Sequence, residues 1–192
     1  MFRILKSTVF WLFLATALLL FSSKLFFGWG LMVGTLFSFF FLFRLTRLEA
    51  GLPEGEHRIY LTTMLLYPLA ETGVQWMQVR NLIPDSWTLV NRLEHFCWAT
   101  ALTLLFLPLI VQIWQRLEIW QSLLFIVGFV CLLGNLNEFL EYFSRIQSSP
   151  IDQAKFAWFY IDTIYDMMMN LLGSLVGFAL LLGLERNRSE NP

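Results

Sequence analysis

Apolar residues run in long blocks along this chain, and polar residues gather at the ends of the blocks. Blocks at 8–21, 26–43, 95–113, 119–142 and 158–184 have the length and apolarity of membrane-spanning helices. A weaker block, 59–79, is interrupted by Pro68, Glu71 and Gln75, and it can cross a membrane only with those groups turned toward protein or water. Counting it, the pattern predicts an all-α fold, a polytopic membrane bundle of about six transmembrane helices, with both termini on one side. If that block lies at the interface instead, five spans remain. The first block follows a basic start but precedes no small-x-small cleavage pattern, so it reads as an uncleaved span. With neither repeat nor low-complexity linker, residues 1–192 read as a single membrane domain.

The last block opens with the stretch "YIDTIYDMMMNLLGSLVG". Asp162, Asp166 and Asn170 recur every four residues, which places them on one helical stripe that Gly173 and Gly177 continue. An acid at a helix start can serve simply to cap it, and Asp162 admits that reading. Asp166, one turn deeper, is already entering hydrocarbon, where an acid is costly.

Other polar groups gather around the loops that flank the same end of the bundle. "VNRLEHF" opens the fourth span with Asn91, Arg92, Glu94 and His95, and "GNLNEFLEYF" closes the fifth with Asn135, Glu138, Glu141 and Tyr142. Asn135, Glu138 and Tyr142 are expected to share a face with Cys131 and Gly128. Glu71, Gln75 and Gln78 lie in the half of the third span that approaches this side. Four helix ends are thus expected to direct acids, amides and one histidine into a common pocket. Arg92 and Arg145 are expected either to snorkel to the interface or to neutralise those acids. Trp11, Trp29, Trp120, Trp158 and Tyr160 fit membrane-interface belts, and Gly173, Ser174 and Gly177 fit close helix packing.

Composition sharpens this picture. The chain is 57% hydrophobic and only 14% charged, against roughly a quarter charged for a soluble domain. Its net charge is −1 and it has no basic arm, which argues against nucleic acid as a partner. Cys97 and Cys131 both sit in apolar blocks and indicate no disulfide framework. In the six-span threading, Arg3, Lys6, Arg44, Arg47, Arg58, Arg116, Arg186 and Arg188 fall on the side of the termini. Lys24, Arg80, Arg92, Arg145 and Lys155 fall opposite, so the bias predicts cytoplasmic termini. The Asn187-Arg188-Ser189 glycosylation pattern falls in that cytoplasmic tail and reads as chance.

In their order and positions, "NRLEHF", "NEFLEYF" and "YIDTIYDMMMNLLGSLVG" resemble the YjdF-like membrane proteins and, more distantly, the VanZ-like family. The resemblance covers the C-terminal half, from Asn91 onward, and carries over Arg92 and His95, then Glu138 with Glu141 close by, then Asp162, Asp166 and Asn170. Asn91 stands where those proteins usually place an acid, and Glu94, one turn along at a different angle, is the carboxylate available to replace it. The resemblance implies a small multi-pass protein of the bacterial plasma membrane linked to the cell envelope, and it supplies no reaction.

Two functional readings follow. In the first, the pocket binds a divalent cation or a polar headgroup, with oxygens from Glu138, Asp162 and Asp166 and a nitrogen from His95, a set compatible with Mg²⁺, Mn²⁺ or Zn²⁺. The metal set proper is His95, Glu138 and Asp166. An enzyme built on it would act on a lipid-linked envelope substrate, but the chain contains no HExxH motif or cysteine cluster. In the second reading the polar groups form a network that holds helices together or relays protons, as in a transporter or an accessory subunit. The expected partners are the bilayer and either another membrane protein or a second copy of the chain.

Overall fold

A computed structural model describes residues 26–84, 88–113, 116–148 and 153–190, together with Thr8, Trp11 and Ala15. The expected first span, 8–21, otherwise lies outside the described residues, as do the side chains of Trp29, Arg145, Lys155, Asn187 and Arg188.

Every regular element described is helical: α1 (Phe26–Leu45), α2 (Glu54–Val79), α3 (Thr88–Leu105), the short α4 (Leu107–Ile113), α5 (Ile119–Ser148) and α6 (Gln153–Glu190). A 3₁₀ turn, Leu48–Gly51, joins α1 to α2. Its entry is fixed by Arg47 in the left-handed region (φ 60°) and by the Arg44–Glu49 ion pair at 3.3 Å. Three stretches are long and apolar enough to cross a membrane: Thr88–Gln112, Ile119–Phe143 and Phe156–Leu184. The described apolar part of α1, Gly30–Leu45, is shorter. The helix over the weak block begins earlier than expected, at Glu54, and takes in Glu56 and Arg58 as well as Glu71.

Burial runs opposite to that of a water-soluble bundle. Glu71, Glu94, His95, Glu138, Asp162, Asp166 and Asn170 are inside, while Leu132, Leu136, Phe139 and Phe143 of α5 and Ile164, Met168, Leu171 and Leu175 of α6 are exposed. An outward apolar face over an inward polar stripe suits a hydrocarbon solvent.

Contacts fix the relative directions of the helices. Tyr67 reaches Met32, and Tyr60 stacks on Phe40, so α1 and α2 are antiparallel. Asn91 meets Asp166 and Thr100 meets Gly173, so α3 and α6 run parallel, in the most extensive pairing of the bundle. Gly173 permits this approach, because a Cβ there would collide with the backbone oxygen of Phe96. Thr100 takes advantage of the closeness, its hydroxyl donating to the Gly173 carbonyl at 3.0 Å. The helix α5 is antiparallel to α6: Gly134 lies against Asn170, and Cys131 Sγ is 3.8 Å from Ser174 Oγ.

The far end of the bundle is aromatic. Phe39, Phe43, Phe106 and Phe129 meet edge to face with centroids 5.3 to 5.9 Å apart. In the middle, Trp98 is buried and its indole Nε1 donates to the Met32 carbonyl at 2.9 Å, tying α3 to α1. The buried acids Glu71, Glu94, Glu138, Asp162 and Asp166, with His95, gather toward the other end, where α2 and α5 finish and α3 and α6 begin.

Candidate functional site

His95 sits two turns into α3, Glu138 in the last third of α5 and Asp166 well inside α6. The three come together: Glu138 Oε1 lies 3.5 Å from His95 Nδ1, and Asp166 Oδ2 lies 3.7 Å from His95 Nε2. One ligand atom from each falls within 4.8 Å of the others, and none of the three residues is more than 2% exposed. Asn91, one turn before His95, donates from Nδ2 to both oxygens of Asp166 at 3.0 Å, which holds the plane of that carboxylate. Both faces of the imidazole edge are thus occupied by acids, one of them fixed from the same helix.

Asp162 is buried one turn nearer the start of α6. It does not cap that helix: α6 begins at Gln153, which places Asp162 in its third turn. Asn170 is buried one turn on the other side of Asp166 and lies flat over Gly134. Glu141 is half-buried and accepts from Asn137 at 3.3 Å, within α5. Arg92 stacks its guanidinium on the Tyr165 ring, 4.1 Å from the centroid. The inward face of α5 differs from the expected one: Gly134 and Asn137 are buried, Asn135 is half-buried, and Gly128 is exposed. The helix follows Cys131, Gly134, Glu138 and Glu141, because the contact with α6 requires the glycine at Asn170.

A second polar group, on the neighbouring face of α3, was only partly foreseen. Gln75 donates to Glu71 Oε1 and to Glu94 Oε1, each at 3.1 Å, and the Tyr67 hydroxyl donates to Glu71 Oε2 at 3.4 Å. Glu94 belongs here, facing α2, and it does not take the place next to Asp166 that Asn91 fills. The i, i+4 pair Glu71 and Gln75 inside an otherwise apolar helix was the sequence signal; which residue of α3 they would meet was not readable. His57, the other histidine, lies in the first turn of α2 and stacks on Tyr60. An apolar groove of about 270 Å³ between α2 and α3, lined by Leu66, Tyr67, Phe96, Cys97 and Leu104, contains none of the candidate residues.

Chemically, one imidazole and two carboxylates from three helices are a ligand set for a divalent cation. The same groups can also hold a proton between them.

No curated protein and no solved structure matches the chain. Residues 4–187 match the family described as "Predicted membrane protein (DUF2238)". That match spans nearly the whole sequence, accords with the inverted burial and the three membrane-length helices, and shows that the chain belongs to the DUF2238 family.

Proposed function

We propose that the chain is a multi-pass membrane protein whose His95, Glu138 and Asp166 bind a divalent cation near one membrane face. The observation that carries this reading is the convergence of three ligand-type side chains from three helices, within 4.8 Å and almost fully buried. Charged and ionisable groups at such depth are costly and are retained where they act. Asn91 gives Asp166 the hydrogen-bonded support that metal-binding carboxylates commonly have.

The remaining spans complete the proposal. With α1, α2 and the N-terminal block counted beside the three apolar helices, the chain has six crossings, cytoplasmic termini and one domain. The motif order around Arg92, His95, Glu138, Glu141, Asp162, Asp166 and Asn170 supports placing it near the YjdF-like and VanZ-like proteins of the bacterial envelope. A polar headgroup approaching that face would meet the bound cation.

The test is metal content and thermal unfolding of the full chain purified in detergent. Wild type is expected to carry one cation per chain and to unfold at higher temperature with Mn²⁺, Mg²⁺ or Zn²⁺ than with EDTA. Asp166→Asn and His95→Ala are expected to fold and lose that response. A wild type that carries no metal and is indifferent to all three overturns the reading.

A second reading has its own support. The bonds from Asn91 to Asp166 and from Gln75 to Glu94 join helices through buried polar groups, as a structural network or a proton path does. It predicts that the same substitutions lower stability in EDTA, with no metal response to lose.

A further inference from the structure

Asn170 is a buried polar side chain one turn from Asp166 that the three-residue ligand set does not use. It is 1% exposed, and neither its Oδ1 nor its Nδ2 has a hydrogen-bond partner among the described residues. Leaving such a group unsatisfied carries its full desolvation penalty, so native proteins rarely keep one without a reason.

Its position suggests the reason. The amide lies over Gly134 so closely that a Cβ on that glycine would stand 2.6 Å from Nδ2 and 3.0 Å from Cγ. Because α5 and α6 are antiparallel, Asn170 and Gly134 form the layer one turn below Asp166 and Glu138. The amide is the floor of the centre, and the missing side chain at Gly134 is what leaves room for it. A purely structural asparagine there would be expected to donate to one of the acids above it, and this one does not.

We propose that Asn170 Oδ1 is a fourth donor to the cation, giving one imidazole nitrogen and three oxygens, and that this added oxygen raises the affinity for Mn²⁺ more than that for Zn²⁺. The proposal rests on the cation reading above and adds a fourth ligand and a shift in selectivity. Zinc is well served by four donors that include nitrogen, whereas carboxylate and carbonyl oxygens suit manganese, so each oxygen added to the set matters more to manganese. Magnesium shares the liking for oxygen but is held mostly by carboxylates and water.

The experiment uses the full chain in detergent, stripped with EDTA and titrated with MnCl₂ by loss of the free-ion EPR signal, then with ZnCl₂ in competition. Wild type, Asn170→Ala, Asn170→Asp and His95→Ala are compared, and the melting temperature of each is taken in EDTA. Asn170→Ala is expected to weaken Mn²⁺ by about ten- to a hundredfold while Zn²⁺ moves far less. In EDTA the same variant is expected to melt no lower than wild type, since the amide it removes was unsatisfied. Asn170→Asp is expected to recover Mn²⁺ binding, and His95→Ala to lose both metals.

Wild-type Mn²⁺ affinity in Asn170→Ala overturns the fourth donor while leaving the three-residue centre standing. So does a marked loss of stability of that variant in EDTA, which would make the amide structural. If wild type binds neither ion, the centre itself fails and this proposal falls with it.

Discussion

Asn91 Nδ2 stands 3.0 Å from each carboxylate oxygen of Asp166, joining residues 75 positions apart on two parallel helices. The amide replaces a proton or a water as the partner of a buried acid and fixes which way that acid faces. Asn91→Ala is expected to cost about 1.5–3 kcal/mol, the scale of a hydrogen bond to a charged group, in reversible unfolding in detergent. Asn91→Asp sets two acids face to face and is expected to be the more damaging of the two.

Gln75 bridges Glu71 and Glu94 with a single amide nitrogen. Replacing it by Leu keeps the bulk and removes the bridge. A loss of about 1–3 kcal/mol is expected for Gln75→Leu. A Glu94→Gln change in the same background is expected to recover part of it, so the pair should depart from additivity in a double-mutant cycle.

Gly173 and Gly128 offer a matched pair. A Cβ at Gly173 meets the carbonyl oxygen of Phe96, which belongs to backbone and cannot swing away, whereas a Cβ at Gly128 meets nothing within 4 Å. Gly173→Ala is expected to force α3 and α6 apart at about 1–3 kcal/mol or more. Gly128→Ala is expected to be neutral or to gain up to about 1 kcal/mol from helix propensity. Equal effects at the two sites would contradict the helix pairing described.

The outward face of α5 is assigned to lipid because Leu132, Leu136, Phe139 and Phe143 are exposed together. Leu132→Arg, beside the midpoint of Ile119–Phe143, is expected to lower membrane insertion of that segment by about 2.5–3.5 kcal/mol. A glycosylation-based insertion assay reads this directly, and an unchanged inserted fraction would count against the assignment.

Much of this architecture was legible in the residues. The blocks at 95–113, 119–142 and 158–184 announce helices because hydrocarbon length is a strong constraint and single-residue errors average out over it. The stripe of Asp162, Asp166 and Asn170 was legible for a related reason: a spacing of four on a helix allows one face only. Asp162 as a cap was not, because α6 continues from Gln153 through polar residues that hydropathy discounts. Facing partners were the harder problem. Glu94 and His95 are neighbours in sequence but turn about 100° apart, so one joins Gln75 of α2 and the other joins Glu138 and Asp166. Only the packing of Gly134 against Asn170 sets the rotation of α5 that decides which of its polar residues point inward.

The parallel course of α3 and α6 has a geographic result. In the six-crossing arrangement proposed, the beginnings of these two helices and the end of α5 share one side of the bilayer. At 1.5 Å per residue along the helix, Asp166 lies roughly 15 Å inward from the start of its membrane-length stretch at Phe156, and Glu138 roughly 8 Å inward from the end of its own at Phe143. Beneath the histidine the bundle closes on Trp98 and then on the ring of phenylalanines at the far end. In that arrangement a cation bound at the proposed centre would enter and leave by the same door, sampling the chemistry of one compartment and not the other.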